Sequence, residues 1–402
     1  MKEGWETLPV AAFARTSAGG TPAKSQKAFY EGGSIPWLLS GEVANANIVE
    51  AANYITDAGL KGSSAKLFPP GSVLVAMYGA TAGEAGILKF QAATNQAVCA
   101  ILPGDKHLPE YLYYYLLNAK PLLVAQAVGN AQPNISQAKI KALEIPLPPL
   151  EEQQRIVAIL DEAFEGLDRA RANAEANLQN ARELFENYRE ARLNPSRTGW
   201  SLHKLEELVR IKHGFAFKSA YFVDHGDFAV LTPGNFYETG GFRDRGEKQR
   251  FYAGDFPQDF LLKKGDLLVA MTEQAPGLLG SCILVPSENQ FLHNQRLGLV
   301  CPKEGVDWSA EYFAHAFNLK AFRKGLSDTC SGATVRHTSP GRILAQSIPY
   351  CGDANALAEV AVELTEREQD CRSLEALCED KLKNIADLRQ SLLQKAFAGE
   401  LT

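Results

Sequence analysis

The chain contains one unit twice. Gly4-Trp5 recurs as Gly199-Trp200, 195 residues later, and Pro70-Gly71-Ser72-Val73-Leu74-Val75-Ala76-Met77 recurs as Lys264-Gly265-Asp266-Leu267-Leu268-Val269-Ala270-Met271 at an offset of 194. Asn95-Gln96 is echoed by Asn294-Gln295 at 199, and Ile145-Pro146 by Ile348-Pro349 at 203. Four landmarks in one order, with an offset that drifts by a few residues, are a duplication with small loop insertions. Both copies must therefore reach one fold, and at 402 residues each is about one domain plus a connector.

Each globular copy reads as β-rich. Ser72–Met77 and Asp266–Met271 are short apolar runs behind a glycine turn, the pattern of strands. Gly86–Leu88 and Ser281–Val285 match as partner strands, and Ala97–Leu102 and Leu297–Val300 as a further pair. Tyr111–Leu117 and Tyr312–Phe317 match as short helices.

From Leu150 the period changes to seven. One row holds Leu150, Val157, Phe164, Arg171, Leu178 and Phe185; the other holds Gln153, Leu160, Leu167, Ala174, Ala181 and Tyr188. The second copy repeats this with Leu357, Leu364, Cys371, Cys378, Ile385 and Leu392, and with Val360, Arg367, Leu374, Lys381 and Leu388. Sustained apolar heptads predict a coiled coil, here two long helices pairing antiparallel. Pro148-Pro149 opens the first helix and Asn194-Pro195 closes it. At ~1.5 Å per residue, about 44 residues span roughly 66 Å. The expected fold is therefore α+β, with two β-rich domains separated by two long antiparallel coiled-coil helices in a pseudo-two-fold repeat. The expected boundaries are 1–148 and 195–352 for the domains, and 149–194 and 353–402 for the helices.

The net charge of −6 argues at first against a nucleic-acid partner. The acidity, however, is concentrated on the helices. Residues 150–193 carry ten acids and six bases, and residues 354–398 carry nine and six, leaving the rest of the chain at +1. The globular parts are near neutral, so charge neither excludes DNA nor indicates it.

Catalytic signatures are missing. There is no GxxxxGK[ST] phosphate loop, and Gly277-Leu278-Leu279-Gly280-Ser281 lacks the lysine. Neither Asn-Pro-Pro-Tyr nor Asp-Pro-Pro-Tyr occurs, and Phe68-Pro69-Pro70-Gly71 is a turn before a strand. No HExxH, GxSxG or HxE…CxxC pattern is present. Leu160-Asp161-Glu162 resembles an ATPase acid pair by letters alone. The seven cysteines, Cys99, Cys282, Cys301, Cys330, Cys351, Cys371 and Cys378, form no CxxC pair. That favours reduced thiols and a cytoplasmic protein without a structural metal. No apolar run is long enough to predict a membrane span.

The helix motifs resemble a known family. Ile145-Pro146-Leu147-Pro148-Pro149-Leu150-Glu151-Glu152-Gln153, then Arg155-Ile156-Val157 and Leu160-Asp161, is similar to the central conserved region of the specificity subunits of type I restriction-modification systems. Leu388-Arg389-Gln390-Ser391-Leu392-Leu393-Gln394-Lys395-Ala396-Phe397-Ala398-Gly399-Glu400-Leu401 resembles their distal conserved region. Gly19-Gly20-Thr21-Pro22, Ile35-Pro36-Trp37 and Gly214-Phe215-Ala216-Phe217-Lys218-Ser219 resemble the openings of their recognition domains. One junction departs: Ile348-Pro349-Tyr350-Cys351-Gly352 lacks the Pro-Pro-Leu-x-x-Gln run.

The resemblance implies a non-catalytic subunit. Each domain would read half of an asymmetric, split target in double-stranded DNA, while the helices set the spacer and dock two modification subunits. The cofactor, S-adenosylmethionine, would sit on those partners and not on this chain. Restriction subunits, which translocate and cut, would join the core. A coiled-coil scaffold with protein-binding domains is the competing reading.

Base reading needs amide, hydroxyl and cationic side chains at loop tips. In the first domain the candidates are Thr21, Lys24, Tyr78, Thr81, Gln132, Asn134 and Lys139. In the second they are Lys212, Lys218, Asn235, Thr272, Gln274, Thr334, Arg336 and His337. Tyr78 matches Thr272 in position, and Gln132 matches Thr334. Gln153, Arg171, Arg367, Lys381 and Phe397 are the candidates for partner docking.

Overall fold

A computed structural model describes residues 4–126, 134–274, 276–332 and 335–402. The chain forms two compact units, Met1–Glu175 with Glu379–Thr402, and Ala176–Cys378. Two long helices, Leu150–Arg192 of 43 residues and Ala354–Ala398 of 45, each contribute to both.

In the first unit the apolar run Val73–Ala76 is a fully buried central strand. It pairs antiparallel with Val98–Ile101 and Ala85–Leu88, and Thr16–Ala18 and Asn47–Ile48 complete the sheet. In the second unit Leu267–Ala270 takes the same place between Leu297–Pro302 and Cys282–Leu284, with Val209–His213 at the edge. The runs expected from the repeat are these strands. The matched helices are Pro109–Ala125 and Ala310–Phe317.

A second sheet in each unit contains one parallel pair, Trp37↔Ala93 in the first and Val230↔Leu292 in the second. Its strands are two to four residues long, too short to show a period in the sequence. The duplication extends to close backbone contacts. A Cβ on Gly19 would lie 2.3 Å from the Thr94 carbonyl oxygen, and one on Gly214 would lie 2.1 Å from that of Asn294. Only glycine permits this crossing of chain segments.

A two-stranded ribbon introduces each long helix. Glu6–Pro9 pairs with Glu144–Leu147, and Ser201–Lys204 with Ser347–Tyr350. The Tyr111 hydroxyl donates to the Pro146 carbonyl at 2.6 Å, and Tyr312 makes the same bond to Pro349. Acidic Glu151 and Glu152 lie in the first turn of the first helix, with Arg189 and Arg192 in its last, the order its dipole favours.

The helices pair antiparallel within each unit. In the first, Ile156, Leu160 and Phe164 share a core with Leu393, Ala396 and Phe397, and Asp168 bonds Arg389 at 2.7 Å. In the second, Phe185 shares a core with Leu357, Val360, Leu364 and Cys371, and Arg192 pairs with Glu363 at 2.8 Å. The second expected row of the C-terminal helix does not form a seam. Val360 is buried, but Arg367, Leu374, Lys381 and Leu388 are exposed.

Two buried histidines make the second unit acid-sensitive. His293 is fully buried with Nε2 2.9 Å from the Leu297 carbonyl oxygen, and burial pushes its pKa down to about 4. His315 is also held near 4, by burial and then by Arg189 and Arg372, although Glu368 lies 4.0 Å away. Both pKa values lie below the unfolded value of about 6.5, so the unfolded chain binds more protons between them. Stability is full above pH ~6.5 and falls as the pH drops towards ~4. Melting temperatures between pH 7.5 and 4.5 should show this decline, and substituting Gln at either position should flatten it.

Candidate nucleic-acid interface

In each unit the turn that meets the end of the central strand is held in the same way. Asn95 Oδ1 accepts the Ala97 N–H at 3.1 Å, and Asn294 Oδ1 accepts the Arg296 N–H at 3.0 Å. The Ala97 carbonyl then accepts from Met77 N–H at 2.7 Å, and the Arg296 carbonyl from Met271 N–H at 3.0 Å. One residue on, Tyr78 bridges Asn134, and Thr272 pairs with His337. The residues matched in the sequence thus meet a second loop at equivalent places in the two units.

In the second unit this junction borders an open cleft of about 1030 Å³. Thr272, Gln274 and His337 line it, together with Tyr237, Arg243, Arg245 and Arg296. The Arg243 guanidinium lies 5.9 Å from the centre of the Tyr237 ring. Among the described residues, no carboxylate pairs with any of these three arginines.

Glu273 organises the rim. Its carboxylate is buried, and Oε2 accepts the backbone N–H groups of Gly277, Leu278 and Leu279 at 3.0, 2.7 and 2.9 Å. Gly277, at φ +115°, supplies the conformation this nest needs. Oε1 meets Arg336 Nε at 3.1 Å, and Arg336 also donates to Ser327 Oγ at 2.6 Å. Arg336 therefore ties two loops together instead of facing solvent freely.

The remaining candidates divide by burial and bonding. Asn235 is wholly buried; it donates to Gln249 Oε1 at 2.7 Å and accepts from Thr232 N–H at 3.0 Å, so it props the Thr232–Arg243 loop from behind. Lys212 donates to the Asp259 carbonyl at 2.7 Å and covers the Phe260 ring at 4.7 Å, and Lys218 is exposed; neither lines the cleft. In the first unit Tyr78 and Asn134 are exposed beside half-buried Thr81 on the Gly79–Thr81 turn. Thr21 bonds Gln96, Lys24 is exposed, and the Lys139 ammonium donates to the Gln126 carbonyl. Gln132 and Thr334 lie outside the described residues.

Residues 2–177 match the family described as the type I restriction modification DNA specificity domain. The chain spans about two fifths of the Escherichia coli EcoR124I/EcoR124II specificity subunit, being 31% identical over 169 residues, 40% of this chain and 41% of that one. It is 24% identical over 382 residues to the MjaVIII specificity subunit of Methanocaldococcus jannaschii, covering 89% of this chain and 85% of that one. The chain is thus similar to type I specificity subunits, through a family domain that covers residues 2–177. Its fold matches a chain solved in work on complex assembly and conformational transition of the type I R-M system, with a TM-score of 0.80, 18% identity, and 100% and 99% of the two chains covered.

The structure corrects two docking candidates. Gln153 is fully buried; it accepts from Leu108 N–H and donates to the Lys106 and Pro148 carbonyls, each at 2.9 Å. It clamps the start of the helix and presents nothing outward. Phe397 is buried edge-to-face against Tyr111 and Tyr115, at 5.2 and 4.9 Å. Both residues lie in motifs that carry the family resemblance, and internal packing accounts for each. Arg171, Arg367 and Lys381 are exposed, the first two paired along their own helix with Glu175 and Asp370.

At the second helix junction, which lacks the Gln153 clamp, the Tyr350 hydroxyl donates to the Asp307 carbonyl at 3.1 Å and Asp353 Oδ1 caps Asn355 N–H at 2.9 Å. Different side chains thus anchor the two helix starts. Among the described residues no group of His, Cys, Asp and Glu could hold a metal, and no helix is long and apolar enough to cross a membrane.

Arg243, Arg245 and Arg296 were not among the sequence candidates, since they are scattered over two loops and converge only in the fold. A signal was nevertheless present. Residues 1–149 contain one arginine, Arg15, whereas residues 195–352 contain nine.

Proposed function

We propose that this chain is the non-catalytic, sequence-reading subunit of a type I restriction-modification complex. Each domain reads one half of an asymmetric, bipartite target in double-stranded DNA. The paired helices set the spacer and dock two modification subunits, which carry S-adenosylmethionine and methylate adenine; restriction subunits join that core. The exposed Arg171, Arg367 and Lys381, with exposed Leu374, Leu377 and Leu388, mark helix surface available to such partners. Tyr78, Thr81 and Asn134 read in the first domain, and Thr272, Gln274 and His337 in the second. Lys24 and Lys218, free of the loop junctions, serve as phosphate contacts.

One observation carries this reading. The same backbone platform occurs in both domains, but its projecting side chains differ: Tyr78 and Asn134 in one, Thr272 and His337 in the other. A duplicated scaffold with different tips is what two non-identical half-sites require.

The test is to reconstitute the chain with its modification subunits and map adenine methylation by single-molecule sequencing. Residues 1–148 are then exchanged for the corresponding domain of another family member. One half of the methylated motif should change while the other half and the spacer persist. A change in both halves, or methylation that persists without this chain, refutes the reading. A protein-binding scaffold predicts no sequence preference at any salt concentration.

A further inference from the structure

Within that DNA-reading role, on which this inference rests, we propose that Arg296 reads a guanine in the second half-site, and that Ala97 is its silent counterpart in the first domain. The two residues occupy one position of one turn. Each has its N–H bound by an asparagine side chain two residues earlier, Asn294 or Asn95. Each has its carbonyl bound by the N–H at the end of the central strand, Met271 or Met77. The backbone at this point is therefore fixed before any ligand arrives, and only the side chain differs.

That difference separates base reading from phosphate anchoring. Both domains would meet the same sugar-phosphate backbone, so a phosphate anchor on a shared platform should recur in both copies. A base-reading side chain should not, because the half-sites differ. Arg296 does not recur. It is exposed at the cleft beside Thr272 and His337, and among the described residues its guanidinium has neither a carboxylate nor a hydrogen-bond partner. Arg336 and Arg323 differ in this respect, since both are spent on internal bonds. A rigidly based, unpaired guanidinium fork at a groove-facing edge matches the O6 and N7 acceptors of guanine, the commonest specific contact of arginine with DNA.

The experiment uses the whole complex of this chain with its modification subunits, and compares wild type, Arg296→Ala and Arg296→Lys on a plasmid library with randomised sequence. Methylated motifs are read by single-molecule sequencing. The wild-type motif should contain a G·C pair in the half assigned to the second domain by the domain exchange. Both variants should relax that one position by a factor of roughly 5 to 150, the worth of one bidentate pair. The first half-site should be unchanged, which also reports that the variants fold and assemble. A second half-site of A·T pairs alone overturns the inference. So does a motif left intact by both variants, and so does a lysine variant that behaves as wild type, since a phosphate contact tolerates lysine and a bidentate base contact does not. If the wild-type complex yields no bipartite motif, the failure lies in the underlying reading and the inference falls with it.

Discussion

Replacing Glu273 with alanine should remove about 3–5 kcal/mol of stability from the second unit and erase reading of the second half-site while sparing the first. The carboxylate does two things at once. It accepts three consecutive backbone N–H groups, from Gly277, Leu278 and Leu279, and it faces the Arg336 guanidinium at 3.1 Å. Its side chain is only 1% exposed, so water cannot replace it without rearrangement. Removing it leaves the buried Leu279 N–H and two half-buried neighbours without their acceptor and takes the counter-charge from Arg336, which costs more than losing one ordinary hydrogen bond. At ~2–4 °C per kcal/mol for a unit of this size, the melting temperature should fall by roughly 10 °C.

Glu273→Gln separates stability from positioning. It keeps an acceptor for the nest but removes the charge opposite Arg336, so the fold should survive while the loop holding Gln274 loses its tie to the strand holding His337. The methylated motif should then blur in its second half at near-native melting temperature. A variant that melts lower with its motif intact would make Glu273 purely structural. An alanine variant that melts within a degree or two of wild type would remove the argument altogether.

The parts of this fold legible in the sequence were those with a strong period or a repeated landmark. Val73–Ala76 and Leu267–Ala270 are apolar at every position because both faces are buried, and such a run is visible without knowing its partners. The long helices were visible from their heptads. What could not be seen was which residues of a motif point inward. Gln153 looked like a docking residue because a polar side chain at a seam position usually faces outward or serves specificity. Two of its three bonds go to Leu108 and Lys106, 45 and 47 residues away. Asn235 misled for the same reason, because a loop asparagine in the sequence says nothing about a buried Gln249 opposite it. The cleft was the least legible part. Arg243 and Arg245 come from one loop and Arg296 from another, and their convergence depends on long-range pairing such as that of Ala229–Leu231 with Phe291–His293.

Phe397→Ala should be nearly as costly as the Glu273 change, at about 3–5 kcal/mol, and its effect should fall on the first unit. Phe397 lies five residues before the end of the sequence, yet it is only 7% exposed and shares a core with Tyr111, Ile145 and Ile156. The C-terminal helix is thus a wall of the N-terminal unit. The nearby ion pair of Arg389 with Asp168 is exposed and contributes little, so apolar burial must supply most of this attachment. Truncating the ring leaves a cavity between two tyrosines. One of them, Tyr111, also fixes the ribbon at Pro146 that introduces the first long helix. The loss should therefore reach the start of that helix. Calorimetry should show the first unit's transition lowered by roughly 10 °C with the second unit's transition in place, and Phe397→Leu should recover most of the difference. The opposite pattern, an unchanged melt with loss of the modification subunits from the complex, would return Phe397 to the docking surface expected from the sequence.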